Sequence, residues 1–308
     1  MVIELTQLSK WYGEVIGLNN VTATIGSGIT GLLGPNGAGK STLMGLSTGQ
    51  LRPSKGEIRV FGQSPWDNPR VLSRVGYCPE GDPFWSNLTG YQFVLFLARL
   101  SGLRGAAARH AVREAIERTG MTPHAGRAIR GYSKGMRQRI KIAQALAHAP
   151  ELLILDEPFT GADPIARHEL TLLFRELAAH GVNILVSSHV LHEVEALTRQ
   201  ILMIDHGRIV AQGDVQAVRR TLLDRPHIIR VRVDEPRKLA SRVAGWELVA
   251  GVSVPDSDTV LFETRSPEAA YEQLTSLILQ DGFCVREISA ADENLEAVFG
   301  YLTQRPAK

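Results

Sequence analysis

Cysteine is scarce in this chain: two in 308 residues, Cys78 and Cys284, far apart and in no metal-ligand spacing. That excludes a disulfide framework and a cysteine-built zinc site, and it suits a reducing cytosol. Also missing is any apolar run approaching the ~18 residues that a bilayer-crossing helix needs. If a membrane is involved, another chain crosses it. The opening MVIELTQLSK carries no signal-peptide pattern. Nor is there an excess of one charge: 34 Lys and Arg stand against 32 Asp and Glu, a net +2, so no global basic field points to nucleic acid or anionic lipid. What is present, 44% hydrophobic and 21% charged residues, is the composition of a soluble folded chain and not of a disordered one. The length suits two ordinary domains, or one large α/β domain with an appendage.

Short apolar runs alternate with longer helical periodicities, the rhythm of a doubly wound sheet. Three runs, ITGLLG (29–34), ELLILDEP (151–158) and VNILVSSH (182–189), are too continuously apolar for half-exposed strands. They read as parallel strands buried on both faces. Ligands of open α/β sheets bind beyond the carboxyl ends of the strands, so three strand ends are expected to converge on one site.

The first end is GPNGAGKST, comprising Gly34, Pro35, Asn36, Gly37, Ala38, Gly39, Lys40, Ser41 and Thr42. It matches G-x-x-x-x-G-K-[ST] between a strand and the helix STLMGLSTGQL. Glycines let backbone amides close around phosphate oxygens, and the helix start adds its positive dipole end. Lys40 is placed to reach the β and γ phosphates of a nucleotide, and the Ser41 hydroxyl to ligate Mg²⁺. At the second end stand Asp156 and Glu157. Asp156 fits a Mg²⁺ partner, and Glu157 the residue that polarises the attacking water. The bland alternative is a solvated acidic pair at a strand end. At the third end His189 is in reach of the γ phosphate. His189, His192 and Glu193 in HVLHE imitate a zinc pattern, but the order is not H-E-x-x-H and no further ligand follows. Arg127, Arg130, Arg137, Arg139 and Lys141 lack interleaved aromatics, so they read as a solvated basic helix face and not as a nucleic-acid surface.

With these motifs in order, residues 1 to about 215 resemble an ABC transporter ATP-binding subunit. LGPNGAGKST is similar to its Walker A, LLILDEP to its Walker B with catalytic glutamate, and SSH to its switch histidine. TGADP resembles the D-loop, which implies contacts of Asp163 across a dimer, and WYGE resembles the A-loop, which implies stacking of Tyr12 on adenine. YSKGM takes the place of the signature loop LSGGQ, which in this family binds the γ phosphate of ATP held by the opposite subunit. Two copies packed head to tail would then enclose two ATP molecules, with Ser133 and Gly135 of one facing Lys40 and Ser41 of the other. A helix start with a Ser cap and exposed amides is an anion site in its own right. The sequence departs from LSGGQ at Tyr132, Lys134 and Met136. Lys134 either adds charge at the γ phosphate or lies on the surface. The family usually has Gln where Glu80 stands, in a loop that touches Mg²⁺ and water and signals to the membrane partner. Glutamate there, with YSKGM and NLTGYQF, resembles drug, lipid and polysaccharide exporters. The apolar helix from Tyr91 to Leu100 is either partner-facing or a plain core helix.

After GRIVAQGD the pattern changes, and VRRTLLDRP (218–226) reads as a linker. HIIRVRV, WELVAGVSV, DTVLFET and FCVREIS read as strands, and PRKLASRV, SPEAAYEQLTSLILQDG and NLEAVFGYLT as helices. The order βαββαβ plus a terminal helix suggests a ferredoxin-like domain. The expectation is therefore an α/β P-loop NTPase of ABC type over 1–217, with a helical subdomain at about 84–145, and a small α+β accessory domain over 227–308. Such a chain would use ATP and Mg²⁺, with Ser41, Asp156 and Glu80 toward the metal, and Lys40, Glu157 and His189 in hydrolysis. It would act as a homodimer on the inner face of the cell membrane, touching the membrane only through a transmembrane permease subunit. The alternatives are a soluble ABC-type ATPase acting on ribosomes or DNA, or an import subunit.

Overall fold

The computed structural model describes residues 1–220 and 226–290. The chain divides into two units, Met1–Asp214 and Val215–Lys308. In the first, a six-stranded sheet runs in the order Val75–Cys78, Leu152–Leu155, Asn183–Ser188, Ile29–Leu33, Gln200–Asp205, Arg208–Asp214. The first five strands are parallel and the last returns as an antiparallel hairpin. Register pairs Cys78 with Leu155, Leu155 with Val186, and Leu33 with Ser188. The segments that follow these strands therefore leave the sheet along a single rim.

The continuous apolar runs have a direct cause. Leu153 and Leu155 enter a core with Phe159, Phe174, Ile140 and Ile142, while Leu152 and Ile154 enter a second core with Leu43, Met44 and Ile3. Each fully buried side chain contributes about 1.5–3 kcal/mol, so a polar residue on either face of such a strand would be costly. Against the second core lies an antiparallel sheet of Val15–Ile25, Ile3–Tyr12 and Lys55–Val60. The helix after the phosphate loop is shorter than the sequence suggests, spanning Lys40–Ser47. It stops because Gln50 and Leu51 both donate back to Gly45 O and leave the helical ladder.

Helices Gly90–Leu100, Gly105–Arg118 and Lys134–Leu146 pack beside the first core. Thr89 and Gln92 form a reciprocal capping box at the first, and Ser133 Oγ accepts from Met136 N at the third. The apolar helix buries Phe93 and Val94, while Phe96 and Leu100 are 44% and 69% exposed. Just beyond the third helix, His148 places Nε2 3.0 Å from Val75 O, and its buried Nδ1 has no hydrogen-bond partner among the described residues. Burial holds this imidazole below its ordinary pKa. Below about pH 6.5 the unfolded chain takes up a proton that the folded one refuses, so stability falls as pH drops through that value. His148→Gln should flatten this slope in urea melts at pH 5.5 and 7.5.

The second unit has an antiparallel sheet in the order Val249–Ser253, Thr259–Thr264, His227–Val233, Val285–Ala290, with helices Pro236–Val243 and Pro267–Asp281. Ile229, Val231, Phe262, Leu239 and Leu274 form its core. The strand expected over WELVAGVSV starts later, because Trp246 N bonds Val243 O and Val249 N bonds Trp246 O in a turn. Trp246 instead packs edge-on against Phe262. Of the expected linker, 218–220 belong to the helix Val215–Arg220 and 221–225 lie outside the described residues, as does the expected terminal helix NLEAVFGYLT.

Candidate functional site

A cavity of about 430 Å³ opens at the sheet rim, lined by Tyr12, Pro35, Asn36, Gly37, Gly39, Lys40, Ser41, Thr42, Glu80, Asp156 and Glu157. That volume is in the range of small-molecule and cofactor sites. The phosphate loop owes its path to two glycines. A Cβ on Gly34 would lie 2.2 Å from Ile204 O, and Gly39, at φ +113°, would place one 2.6 Å from Gly17 O. Ala38 is buried in the core beneath the loop. Lys40, 6% exposed, donates to Gly34 O at 2.7 Å and to Pro35 O at 3.3 Å, and stands 3.7 Å from Glu157 Oε1. Tyr12 is half-exposed at the cavity mouth, its hydroxyl 3.3 Å from Thr42 Oγ1.

The acidic pair is held from three strands. Asp156 N donates to Cys78 O, and Ser187 Oγ donates to Asp156 Oδ1 at 2.6 Å. Glu157 N donates to Ser187 Oγ, and Glu157 takes a left-handed backbone at φ +49°. Such strain in a non-glycine residue persists only where its surroundings over-determine it. It turns the carboxylate back to Lys40 on one side and to His189 on the other, whose Nδ1 lies 2.9 Å from Glu157 Oε2. A carboxylate only accepts, so Nδ1 carries the proton. Both acids are buried, 4% and 6% exposed, so neither is the solvated strand-end pair of the bland reading. Burial first, and then the nearby charge of Asp156, push the Tyr77 phenol up to about 12.

The Ser41 hydroxyl, Asp156 and Glu80 all face the same cavity. This is an all-oxygen donor set with two carboxylates, which suits a hard divalent cation such as Mg²⁺. The amides and Lys40 in turn suit a polyphosphate. The zinc imitation comes apart, since Glu193 accepts from Ser188 Oγ at 2.8 Å and faces Arg167 at 3.4 Å, while His189 faces Glu157.

Other foreseen residues lie apart from the cavity lining. Ser133 and Gly135 head their own helix, and Asp163 Oδ1 caps the helix Pro164–Ala179 through Ala166 N. Lys134 is exposed, yet its stem runs over Gly161, where an added Cβ would lie 2.3 Å from Lys134 Cδ. That lysine ties the YSKGM loop to the TGADP loop of the same chain.

One reading of the sequence is corrected. Lys141, taken as part of a solvated basic face, is 2% exposed and donates to Pro79 O, Glu80 O and Gly81 O at 3.1, 2.8 and 3.1 Å. Arg139 is likewise engaged, to Thr119 O and Glu169, and Arg137 faces Asp82 at 3.5 Å. The signal was present in the helical spacing, because Gln138, Lys141, Ile142 and Ala145 share the buried face. Ser187, which links the two acids, had no motif to mark it beyond its place in SSH.

Comparison with known proteins agrees with this geometry. The family described as ABC transporter matches residues 18–160. The bacitracin transport ATP-binding protein BcrA of Enterococcus faecalis is 33% identical, over 98% of this chain and 96% of its own length. The daunorubicin/doxorubicin resistance ATP-binding protein DrrA of Streptomyces peucetius is 33% identical, over 99% and 93%. Among solved structures, an ATP-binding subunit of an ABC transporter superposes with a TM-score of 0.66 at 29% identity, covering 72% of this chain and 93% of that one. The cavity, its phosphate loop and its acidic pair thus lie in a chain that belongs to the ABC transporter family, as one of its ATP-binding proteins.

Proposed function

We propose that this chain is the motor subunit of an exporter, hydrolysing ATP to drive a separate transmembrane permease. The observation that carries the reading is the near full-length match to proteins named for bacitracin transport and for drug resistance. Among the described residues no helix is long and apolar enough to cross a membrane, which fits a chain seated on the cytoplasmic face through its partner. The exposed pair Trp85 and Phe96, in edge contact at 5.2 Å close in sequence to the Glu80 loop, supports a partner-facing surface there.

In this reading Tyr12 stacks on adenine, the amides of Gly37 to Ser41 and Lys40 hold the phosphates, and Ser41, Asp156 and Glu80 hold Mg²⁺. When bound, the metal would neutralise phosphate charge. Glu157 accepts the proton of the attacking water, and His189 holds the Glu157 carboxylate in line through their 2.9 Å contact. Ser133, Gly135 and Asp163 serve the site of a second copy, and their place outside the cavity lining of their own chain supports a head-to-tail homodimer. The βαββαβ order of the second unit, with its strand order, supports the ferredoxin-like assignment.

The test is affinity purification of tagged Glu157→Gln protein with ATP and Mg²⁺ from detergent-solubilised membranes of its source. A multi-spanning protein should accompany it; ribosomal or DNA-bound partners alone would overturn the exporter reading. Tyr12→Ala should weaken ATP binding about tenfold, as expected for loss of one aromatic–base stack. Affinity for inorganic triphosphate should stay constant, and calorimetric titration of both ligands checks it.

A further inference from the structure

The helix Lys134–Leu146 is attached at three points to the strand end and loop that carry Glu80. Gln138 Nε2 contacts Cys78 Sγ at 3.6 Å, Gln144 Nε2 donates to Tyr77 O at 2.6 Å, and Lys141 donates to three successive carbonyls, Pro79, Glu80 and Gly81. Lys141 Nζ also lies 3.2 Å from Asp82 Oδ1. A buried ammonium is costly unless its donors are filled and its charge is paired. Here both conditions are met by the loop alone. The converse holds too: three consecutive carbonyls aimed at one point repel each other unless a cation sits there. Lys141 therefore anchors residues 79–82, and Glu80 of this loop lines the cavity together with Ser41 and Asp156.

We propose that Lys141 is a positioning residue for the metal side of the site, acting through Glu80. The inference rests on the reading of Glu80 as a Mg²⁺ partner. It assigns a task to a residue outside every recognised motif, and it makes one rigid helix carry both Ser133 at its cap and the latch of the Glu80 loop. Eight residues separate Ser133 from Lys141, a rise of about 12 Å. A shift of the helix when Ser133 engages a second copy would therefore be handed to Glu80 without an intermediary.

The experiment measures affinity of the full-length protein for a fluorescent ATP analogue, in excess Mg²⁺ and in EDTA, for wild type, Glu80→Gln, Lys141→Met and the double variant. Affinity in EDTA supplies each variant's own metal-free baseline, against which its Mg²⁺ gain is read. The gain in affinity on adding Mg²⁺ should shrink about tenfold in each single variant, the usual scale for loss of a group that orients a metal ligand. The double variant should lose no more than either single one, since both act through the same carboxylate. A Mg²⁺ gain unchanged in Lys141→Met while Glu80→Gln loses it overturns the latch alone. If Glu80→Gln keeps the full gain, the metal reading of Glu80 fails and the latch falls with it. Multiplying losses in the double variant would also overturn it. Circular dichroism melts accompany the titrations. Should Lys141→Met not fold, Lys141→Arg decides: its planar fork cannot converge on three carbonyls, so a smaller loss is expected, and a gain equal to wild type overturns the proposal.

Discussion

Glu157→Gln should lower kcat for ATP by about 10²- to 10⁴-fold, the usual contribution of a positioned general base, while leaving ATP affinity within a few-fold of wild type. The carboxylate sits between Lys40 at 3.7 Å and His189 at 2.9 Å, and its backbone is fixed by Ser187. An amide fills the same space and keeps a hydrogen bond to the imidazole, but it accepts no proton. Without turnover, ATP and Mg²⁺ should hold two copies together, so size-exclusion chromatography should show a dimer that appears only with nucleotide. Rapid hydrolysis by this variant would remove Glu157 from the catalytic role and leave it as a partner of Lys40.

Lys40→Met should act on two quantities at once. ATP affinity should drop roughly 10- to 100-fold, because a hydrogen bond to a charged group contributes about 1.5–3 kcal/mol. The unliganded protein should also lose stability, since removing one member of a buried ion pair leaves the other charge uncompensated, at a cost of about 3–5 kcal/mol. His189 remains beside Glu157, which places the loss at the lower end. The double variant Lys40→Met with Glu157→Gln should regain most of this stability, because no buried charge is then left alone. Urea melts without nucleotide check the stability, and nucleotide titration the affinity. A double variant no more stable than Lys40→Met alone would show that the pair is not what the cation compensates.

Much of the site was legible before any coordinates, for a reason that lies in how it is built. The phosphate loop is contiguous and made of backbone, so Gly34, Gly39 and Lys40 announce it by spacing alone. LLIL and the acids after it were legible because a strand buried on both faces tolerates polar groups only at its end. The Ser133 cap was legible because capping is a local contact. Lys141 was misread because basic residues cluster around it in the sequence; its partners, Pro79 to Gly81, lie about sixty residues upstream. The same limit applied to Lys134 over Gly161, and to Glu193, which is captured by Ser188 and Arg167.

The sequence by itself therefore determined the parallel-sheet architecture, the phosphate loop, the acidic pair and the kinship of the chain. These are written in short-range patterns: apolar continuity, glycine placement and caps. Only the tertiary structure decided which charges are buried and what each one holds: Lys40 against Glu157, Ser187 between two acids, Lys141 inside the Glu80 loop. The physical reason is that a charge is neutral in its demands while solvated. Its partner is chosen when sheet register and helix packing remove the water and bring a distant segment within about 3 Å.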